Sequence, residues 1–228
     1  MQRDPLISRH DHNDRLFQIL SALIVILMFA LSLWAYPKLP ARVPSHWNAA
    51  GEVNGYNTPF VGAFLMPVLT LGIWLLFWLI PRIDPRKANY RLMNKVFWLI
   101  NFVTVLFLGL LHTGIIFAAL GLLRTGLVPA FILGGIGFLF IVLGNYMGKV
   151  KFNYFFGIRT PWTLANEEVW YKTHRAAGPA WVIGGLILLF SSFLPKQFTV
   201  PLVFAVVLVL ALGSMVYSYI LYQKVARR

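Results

Sequence analysis

Three small groups of residues in this 228-residue chain carry side chains able to do chemistry. The first is His46, Asn48 and Glu52, within LPARVPSHWNAAGEVNGYN. Pro40 and Pro44 keep the start of that stretch extended, and Gly51 and the Asn54-Gly55 pair supply turn positions. A turn there could bring an imidazole and a carboxylate together as a partial hard-metal or proton-binding site. One histidine and one glutamate are too few ligands for zinc, so no metal or other cofactor is expected. The bland alternative is that Trp47 and Tyr56 anchor the loop at headgroup level while the polar side chains satisfy its backbone.

The second group lies in residues 157–178, GIRTPWTLANEEVWYKTHRAAG. Thr160 before Pro161 suits a helix N-cap with proline at the first helical position, and Thr163 is a second candidate for the cap. Asn166, Trp170 and His174 recur every four residues and share one helix face, with Glu167 beside it. Glu168 and Lys172 form an i,i+4 pair on another side. Glu167 and His174 could share a proton, but no nucleophile or metal set accompanies them, so the chain does not read as an enzyme. An amphipathic helix at the membrane interface with its tryptophans in the headgroups is the simplest account, and a docking surface with Trp and Arg anchors is the other.

The third group is His112, with Asn101 about three turns earlier on the same apolar segment. An ionisable group inside a membrane suggests a proton relay or ligand contact; the alternative is a neutral histidine hydrogen-bonded to a neighbouring helix. Acidic residues are absent from the apolar spans, which counts against proton-coupled transport. The absence of cysteine removes disulfides, thiolate metal sites and thiol catalysis.

The elements that must position these groups are membrane helices. Apolar residues make up 59% of the chain and charged residues 12%, which places it outside the ordinary soluble class. Six stretches, at residues 16–36, 60–80, 96–122, 127–147, 176–194 and 198–222, are long and apolar enough to span a bilayer. Five spans follow the first, so the first is not a signal peptide ahead of a soluble remainder. The runs lack the alternation of an outer-membrane barrel.

The expected fold is all-α: a polytopic membrane bundle of about six transmembrane helices in three antiparallel hairpins. A short interfacial helix is expected between spans four and five. Residues 1–15 read as a flexible tail, 16–80 as a first hairpin with the polar loop outside, and 81–95 as a basic loop. Residues 96–147 read as the second hairpin, 148–178 as the polar signature segment, and 179–228 as the third hairpin with a basic tail. Span four is rich in glycine, with Gly134, Gly135, Gly137, Gly144 and Gly148, a pattern that favours close helix packing inside the monomer.

Lysine and arginine set the orientation. Sixteen of the twenty lie in the N-terminal tail, the second and fourth loops and the C-terminal tail. Only Lys38, Arg42, Arg124 and Lys196 fall on the other side. The positive-inside rule therefore puts both termini and the second and fourth loops on the cytoplasmic side of the cell membrane. The net charge of +13 then belongs to a cytoplasmic rim facing anionic headgroups, and no folded basic surface suggests nucleic acid.

The stretch 157–178 resembles the signature of the SdpI-type bacterial immunity proteins, G-[IF]-R-T-P-W-T-x-x-N-x-x-V-W-x-x-T-H-R-x-x-G. The residues that carry it are Gly157, Arg159, Thr160, Pro161, Trp162, Thr163, Asn166, Val169, Trp170, Thr173, His174 and Arg175. The external loop is similar to a small uncharacterised membrane domain with the core P-x-H-[WF]-N-x-x-G-x-x-[DN], here Pro44, His46, Trp47, Asn48, Gly51 and Asn54. The resemblance implies an integral membrane protein that protects a producer cell from a secreted peptide toxin. In the best-known branch it also implies a receptor that holds a cytosolic autorepressor at the membrane, raising transcription of its own operon. The rival reading is a small proton-coupled transporter or lipid-handling protein, with His112 and the outer His46 and Glu52 as its polar path.

Overall fold

The structure is a computed structural model and describes residues 5–48 and 50–228. Its elements in chain order are α1 (Pro5–Ala35), β1 (Val43–Trp47), β2 (Val53–Asn57), α2 (Pro59–Ile83), α3 (Ala88–Leu92), α4 (Asn94–Ala119), α5 (Val128–Met147), α6 (Pro161–Ala165), α7 (Glu167–Ser191) and α8 (Lys196–Ala226). Helix α1 begins at Pro5, so the tail expected over 1–15 is helical from that residue; residues 1–4 lie outside the described part.

Among the described residues, five helices are long and apolar enough to cross a membrane: α1, α2, α4, α5 and α8. Their outward faces carry large apolar side chains such as Ile26, Phe131 and Phe204, each more than half exposed. Such a girdle would be an aggregation hazard in water and is the expected surface in lipid. The chain is a multi-pass helical membrane protein. Helix α7 is 25 residues long but begins with the polar run Glu167–Glu168, and Lys172, His174 and Arg175 follow within three turns.

The helices group as two trios, α1–α2–α4 and α5–α7–α8, which meet through α4 and α5. Helices α1 and α4 run parallel. The buried positions of α1 are Asp14, Ser21, Val25, Met28, Ser32 and Ala35, a seven-residue repeat of the kind that keeps one seam against a partner helix. Gly109 on α4 leaves room for Ile24: a Cβ there would stand 2.7 Å from the Ile24 Cγ2.

The most extensive helix contact joins α5 to α7, elements that are not hairpin partners in the chain. Glycine makes it possible. A Cβ on Gly144 would lie 2.7 Å from the Gly178 carbonyl oxygen, and one on Gly185 would lie 2.6 Å from that of Gly137. The two backbones therefore touch, as small residues permit in lipid, where packing rather than hydrophobic exclusion holds helices together. The glycines of span four serve packing within one chain, as read from the sequence. Gly148 contributes little, since a Cβ there would meet only the Arg175 Cα at 3.8 Å.

Two features depart from the sequence reading. The polar loop after α1 is a two-stranded antiparallel hairpin, with Val43 opposite Asn57 and Trp47 opposite Val53. Its turn is closed by Gly51 at φ 73°, whose N–H reaches the Asn48 carbonyl at 2.8 Å. Asn54-Gly55 is not a turn but part of β2, where Gly55 sits against His46 so closely that a Cβ would come within 2.8 Å. The hairpin is seated on α2 through buried Val43, packed at Gly62.

The second departure concerns the polar segment before span five. It is not an independent interfacial helix: α6 is a five-residue turn, and the rest of the signature forms the opening turns of α7, which continue unbroken through Pro179.

Candidate functional site

The signature builds a packed cap over the basic end of the bundle, between the loop after α2 and the loop after α5. Residues 149–160 have no regular secondary structure, so their backbone groups need side-chain partners where they are buried. Asn153 supplies several. Its amide donates to the Lys151 and Phe156 carbonyls at 2.8 and 2.9 Å, and its Oδ1 accepts from the Phe155 and Phe156 N–H groups at 2.9 and 2.7 Å.

The loop after α2 locks onto this one. Asn89 donates to the Phe152 carbonyl at 2.7 Å. The buried Asp84 accepts from the Arg86 N–H at 2.7 Å, the Tyr90 hydroxyl at 2.8 Å and the Tyr154 N–H at 3.0 Å. Those three donors offset the cost of burying a carboxylate that no described salt bridge neutralises. Burial, and then the Asp84 carboxylate beside it, push the Tyr90 phenol far above its ordinary range, so it remains a donor. The Arg86 guanidinium lies over the rings of Phe152, 3.4 Å away, and Tyr154, 4.4 Å away.

The signature residues close the cap from the other side. Thr160 caps α6 in a reciprocal pair with Thr163: the Thr163 N–H donates to the Thr160 hydroxyl at 3.1 Å, and the Thr160 N–H to the Thr163 hydroxyl at 2.9 Å. Thr163 is thus the partner of the cap rather than a second cap. Pro161 takes the first helical position, where a missing N–H costs nothing. The Thr160 hydroxyl also lies 2.9 Å from that of Ser218, and Trp162 packs on Tyr219 at 5.0 Å, so α6 is tied to α8. Asn166 ends α6 and caps α7, accepting from the Val169 N–H at 3.1 Å.

Trp170 and His174 share a face, as their spacing requires, but that face is the protein interior. Trp170 is fully buried against Phe152 and Val150, its Nε1–H donating to the Val150 carbonyl at 3.1 Å. This overturns its reading as a headgroup anchor or docking residue. Trp170→Phe leaves that carbonyl without its donor and is expected to cost about 1–3 kcal/mol, read as a lower Tm in detergent.

His174 stacks on the Trp170 ring at 4.1 Å. A carbonyl can only accept and an N–H can only donate, so its two contacts fix its form. Nδ1–H donates to the Trp170 carbonyl at 2.8 Å, and Nε2 accepts from the Ile158 N–H at 2.9 Å. The ring is a neutral Nδ1–H tautomer, and desolvation lowers its pKa to about 4 against the opposing pull of the Trp170 carbonyl. Gly157, at φ 111°, passes directly over Nε2, where a Cβ would stand 2.4 Å away.

Both ring nitrogens are engaged, so His174 does not share a proton with Glu167. Glu167 is exposed and lies beside Tyr171, whose phenol is raised chiefly by burial and then by that charge. Glu168 and Lys172 pair at 2.5 Å as expected, and Lys172 holds the exposed carboxylate below its usual range. Arg159 is exposed and donates to the Tyr154 carbonyl at 3.1 Å, Arg175 is exposed, and Thr173 is buried.

The other two groups lie elsewhere. At the hairpin end, Asn48 and Glu52 make a closed pair, the Asn48 amide donating to the Glu52 carboxylate at 3.0 Å and the Glu52 N–H to Asn48 Oδ1 at 2.9 Å. His46 Nδ1 turns to Asn54 Oδ1 at 2.5 Å, so His46 and Glu52 do not converge. Trp47 is half-buried and Tyr56 exposed, with Arg42 over its ring at 4.4 Å. Among the described residues, no group of three His, Asp or Glu side chains is placed to hold a metal.

Within the bundle, His112 and Asn101 are fully buried. His112 Nε2 is 3.0 Å from the Ser32 hydroxyl, which reaches the Ala63 carbonyl at 2.6 Å. The same hydroxyl also lies 2.9 Å from the Met28 carbonyl, and the histidine is a joint among α1, α2 and α4.

Sequence reasoning missed Asp84, Asn89, Tyr90, Phe152 and Asn153. The available signals were Asp84, the single acidic residue in an otherwise basic loop, and the aromatic run around Asn153 in FNYFF.

A multi-pass helical membrane protein with a polar signature folded into a buried cap is the class these features define. Residues 149–218 match the family model of the SdpI/YfhL protein family. Residues 23–71, spanning the latter part of α1, the hairpin and the first half of α2, match a domain of unknown function, DUF1648. The chain is 28% identical over 207 residues to the immunity protein SdpI of Bacillus subtilis (strain 168), covering 90% of this chain and 96% of that relative. No solved structure matches significantly.

Proposed function

We propose that this chain is an integral membrane immunity protein that protects the cell carrying it from a secreted peptide toxin. The similarity to the Bacillus subtilis immunity protein along nine-tenths of the chain carries the reading, since it takes in the hairpin and the cap together. The proposed topology has six spans, with the apolar part of α7 from about Ala176 as the fifth of them in chain order. Both termini and the cap lie in the cytoplasm and the β-hairpin outside, following the lysine and arginine bias. Protection then requires no catalysis.

A signalling role, if the protein also holds a cytosolic repressor, falls to what the cap leaves exposed: Arg159, Glu167, Glu168, Lys172 and Arg175. Trp170 and His174 act in it only by shaping that surface.

The test is membrane potential in a sensitive bacterium challenged with a panel of purified secreted peptide toxins, with and without this protein. Expression is expected to preserve the potential against at least one of them. Loss of protection in Arg159→Ala or His46→Ala at equal membrane levels ties it to the cap or the hairpin. A panel that depolarises expressing and control cells equally overturns the proposal.

A further inference from the structure

The hairpin end of the bundle holds a pocket of about 420 Å³ between the starts of α5 and α8 and the end of α7. Pro129, Ala130, Leu133, Val203 and Phe204 give it apolar walls, and the Asn48 side chain and Gly51 at the hairpin tip form part of its mouth. Its size falls in the range of sites that take a small molecule or a few side chains. A second apolar pocket of about 710 Å³, between α4, α5 and the end of α7, shares Ala130 and Ser192 with it. The two pockets are thus neighbours that share a wall.

The mouth carries a charge. Glu52 is the single acidic residue on the hairpin side of the chain, and among the described residues it takes part in no salt bridge. The Asn48 amide donates to its carboxylate and its own N–H donates to Asn48 Oδ1, so Glu52 is tied to a residue of the mouth. The hydroxyls of Ser192 and Thr199 are already engaged with backbone carbonyls, so the walls present no unmet polar demand. An apolar chamber with one carboxylate next to its mouth complements a segment with apolar side chains beside a positive charge.

We propose that this pocket is the docking site for an apolar, positively charged segment of the peptide toxin. Glu52 receives the charge, and Ala130 and Val203 line the chamber for the apolar side chains. The inference rests on the immunity reading above and on the hairpin end lying outside. The hairpin supplies part of the mouth, and the starts of α5 and α8 with the end of α7 supply the chamber.

The experiment uses the full chain in cells and, as probe, the purified toxin against which the wild type preserves membrane potential. A photo-crosslinking residue at Val203 is expected to capture that peptide, and one at Val209, in a groove nearer the basic end, is not. Ala130→Trp, which fills the chamber, and Glu52→Gln, which removes the charge but keeps an acceptor for Asn48, are each expected to raise the toxin dose needed for half-protection at least tenfold at equal membrane levels. Glu52→Gln leaves the interior untouched, so it decides the matter if Ala130→Trp does not accumulate. Protection unchanged in Glu52→Gln, or a crosslink at Val203 to lipid alone, overturns the site while the immunity reading stands. If the wild type preserves the potential against no peptide, the immunity reading and this inference both fall.

Discussion

Gly157→Ala is expected to destabilise the cap by about 3–5 kcal/mol, through backbone strain and steric overlap acting at the same atom. The residue sits at φ 111°, a conformation that an L side chain adopts only at a cost. The added Cβ would also stand 2.4 Å from His174 Nε2 and 3.3 Å from the far edge of the Trp170 ring. Neither neighbour can move away freely. His174 is held at both nitrogens, and Trp170 is fully buried and hydrogen-bonded to Val150. The overlap falls on the nitrogen that accepts from Ile158, so relief by tilting the ring breaks that bond and leaves a buried N–H without a partner.

Gly148→Ala is the control. That glycine has an ordinary helical φ of −66°, and a Cβ there would make only an ordinary contact with the Arg175 Cα at 3.8 Å. It is expected to be neutral or slightly stabilising by comparison. Thermal unfolding of the two purified variants in one detergent measures the difference, and equal Tm values for both would show that the Gly157 contact with His174 is not a constraint.

How far this cap was legible in the sequence depends on whether the governing contacts are local. The spans were legible because length and apolarity are properties of a single segment. So were the Thr160–Pro161 helix start and the Glu168–Lys172 pair, both set by neighbours within one turn. The fate of Trp170 and His174 was not. Spacing places them on one face, but whether that face meets lipid, water or protein is decided by Val150 and Phe152, about twenty residues upstream and folded back over them.

The unbroken α7 was hidden for a related reason. Asn166 reads as one position on a continuous helix face, yet it ends α6 and starts α7, which then runs through Pro179 into the apolar segment. The hairpin was hidden because Asn54-Gly55 reads as a turn; Gly55 is a strand residue chosen for the close approach of His46. Asp84 was visible as a lone acid, but its three donors come from two loops that no local pattern relates.

Acidification is the second change with a large expected effect. His174 has an ordinary pKa of 6.5 when the cap is open and about 4 when it is closed. Between those values the open form binds more protons, so stability rises with pH across the window. The contribution of the neutral ring is therefore fully present above about pH 6.5 and is lost as pH falls to about 4, amounting to about 3 kcal/mol. The structural cause is direct: a proton on Nε2 would face the Ile158 N–H, turning the acceptor of a buried ring into a second donor.

His174→Gln removes the titrating group while keeping an amide able to donate and accept. The variant is expected to be less stable than the wild type at pH 7.5 and to lose less stability between pH 6.5 and 4.5. Chemical or thermal unfolding across that range, read for both proteins in the same detergent, gives the two slopes. Parallel slopes would mean that the pH dependence belongs to other groups and that His174 is not the acid-sensitive contact of the cap. A flatter slope in the variant would place that sensitivity at the junction of Gly157, Ile158 and Trp170, where the signature residues meet.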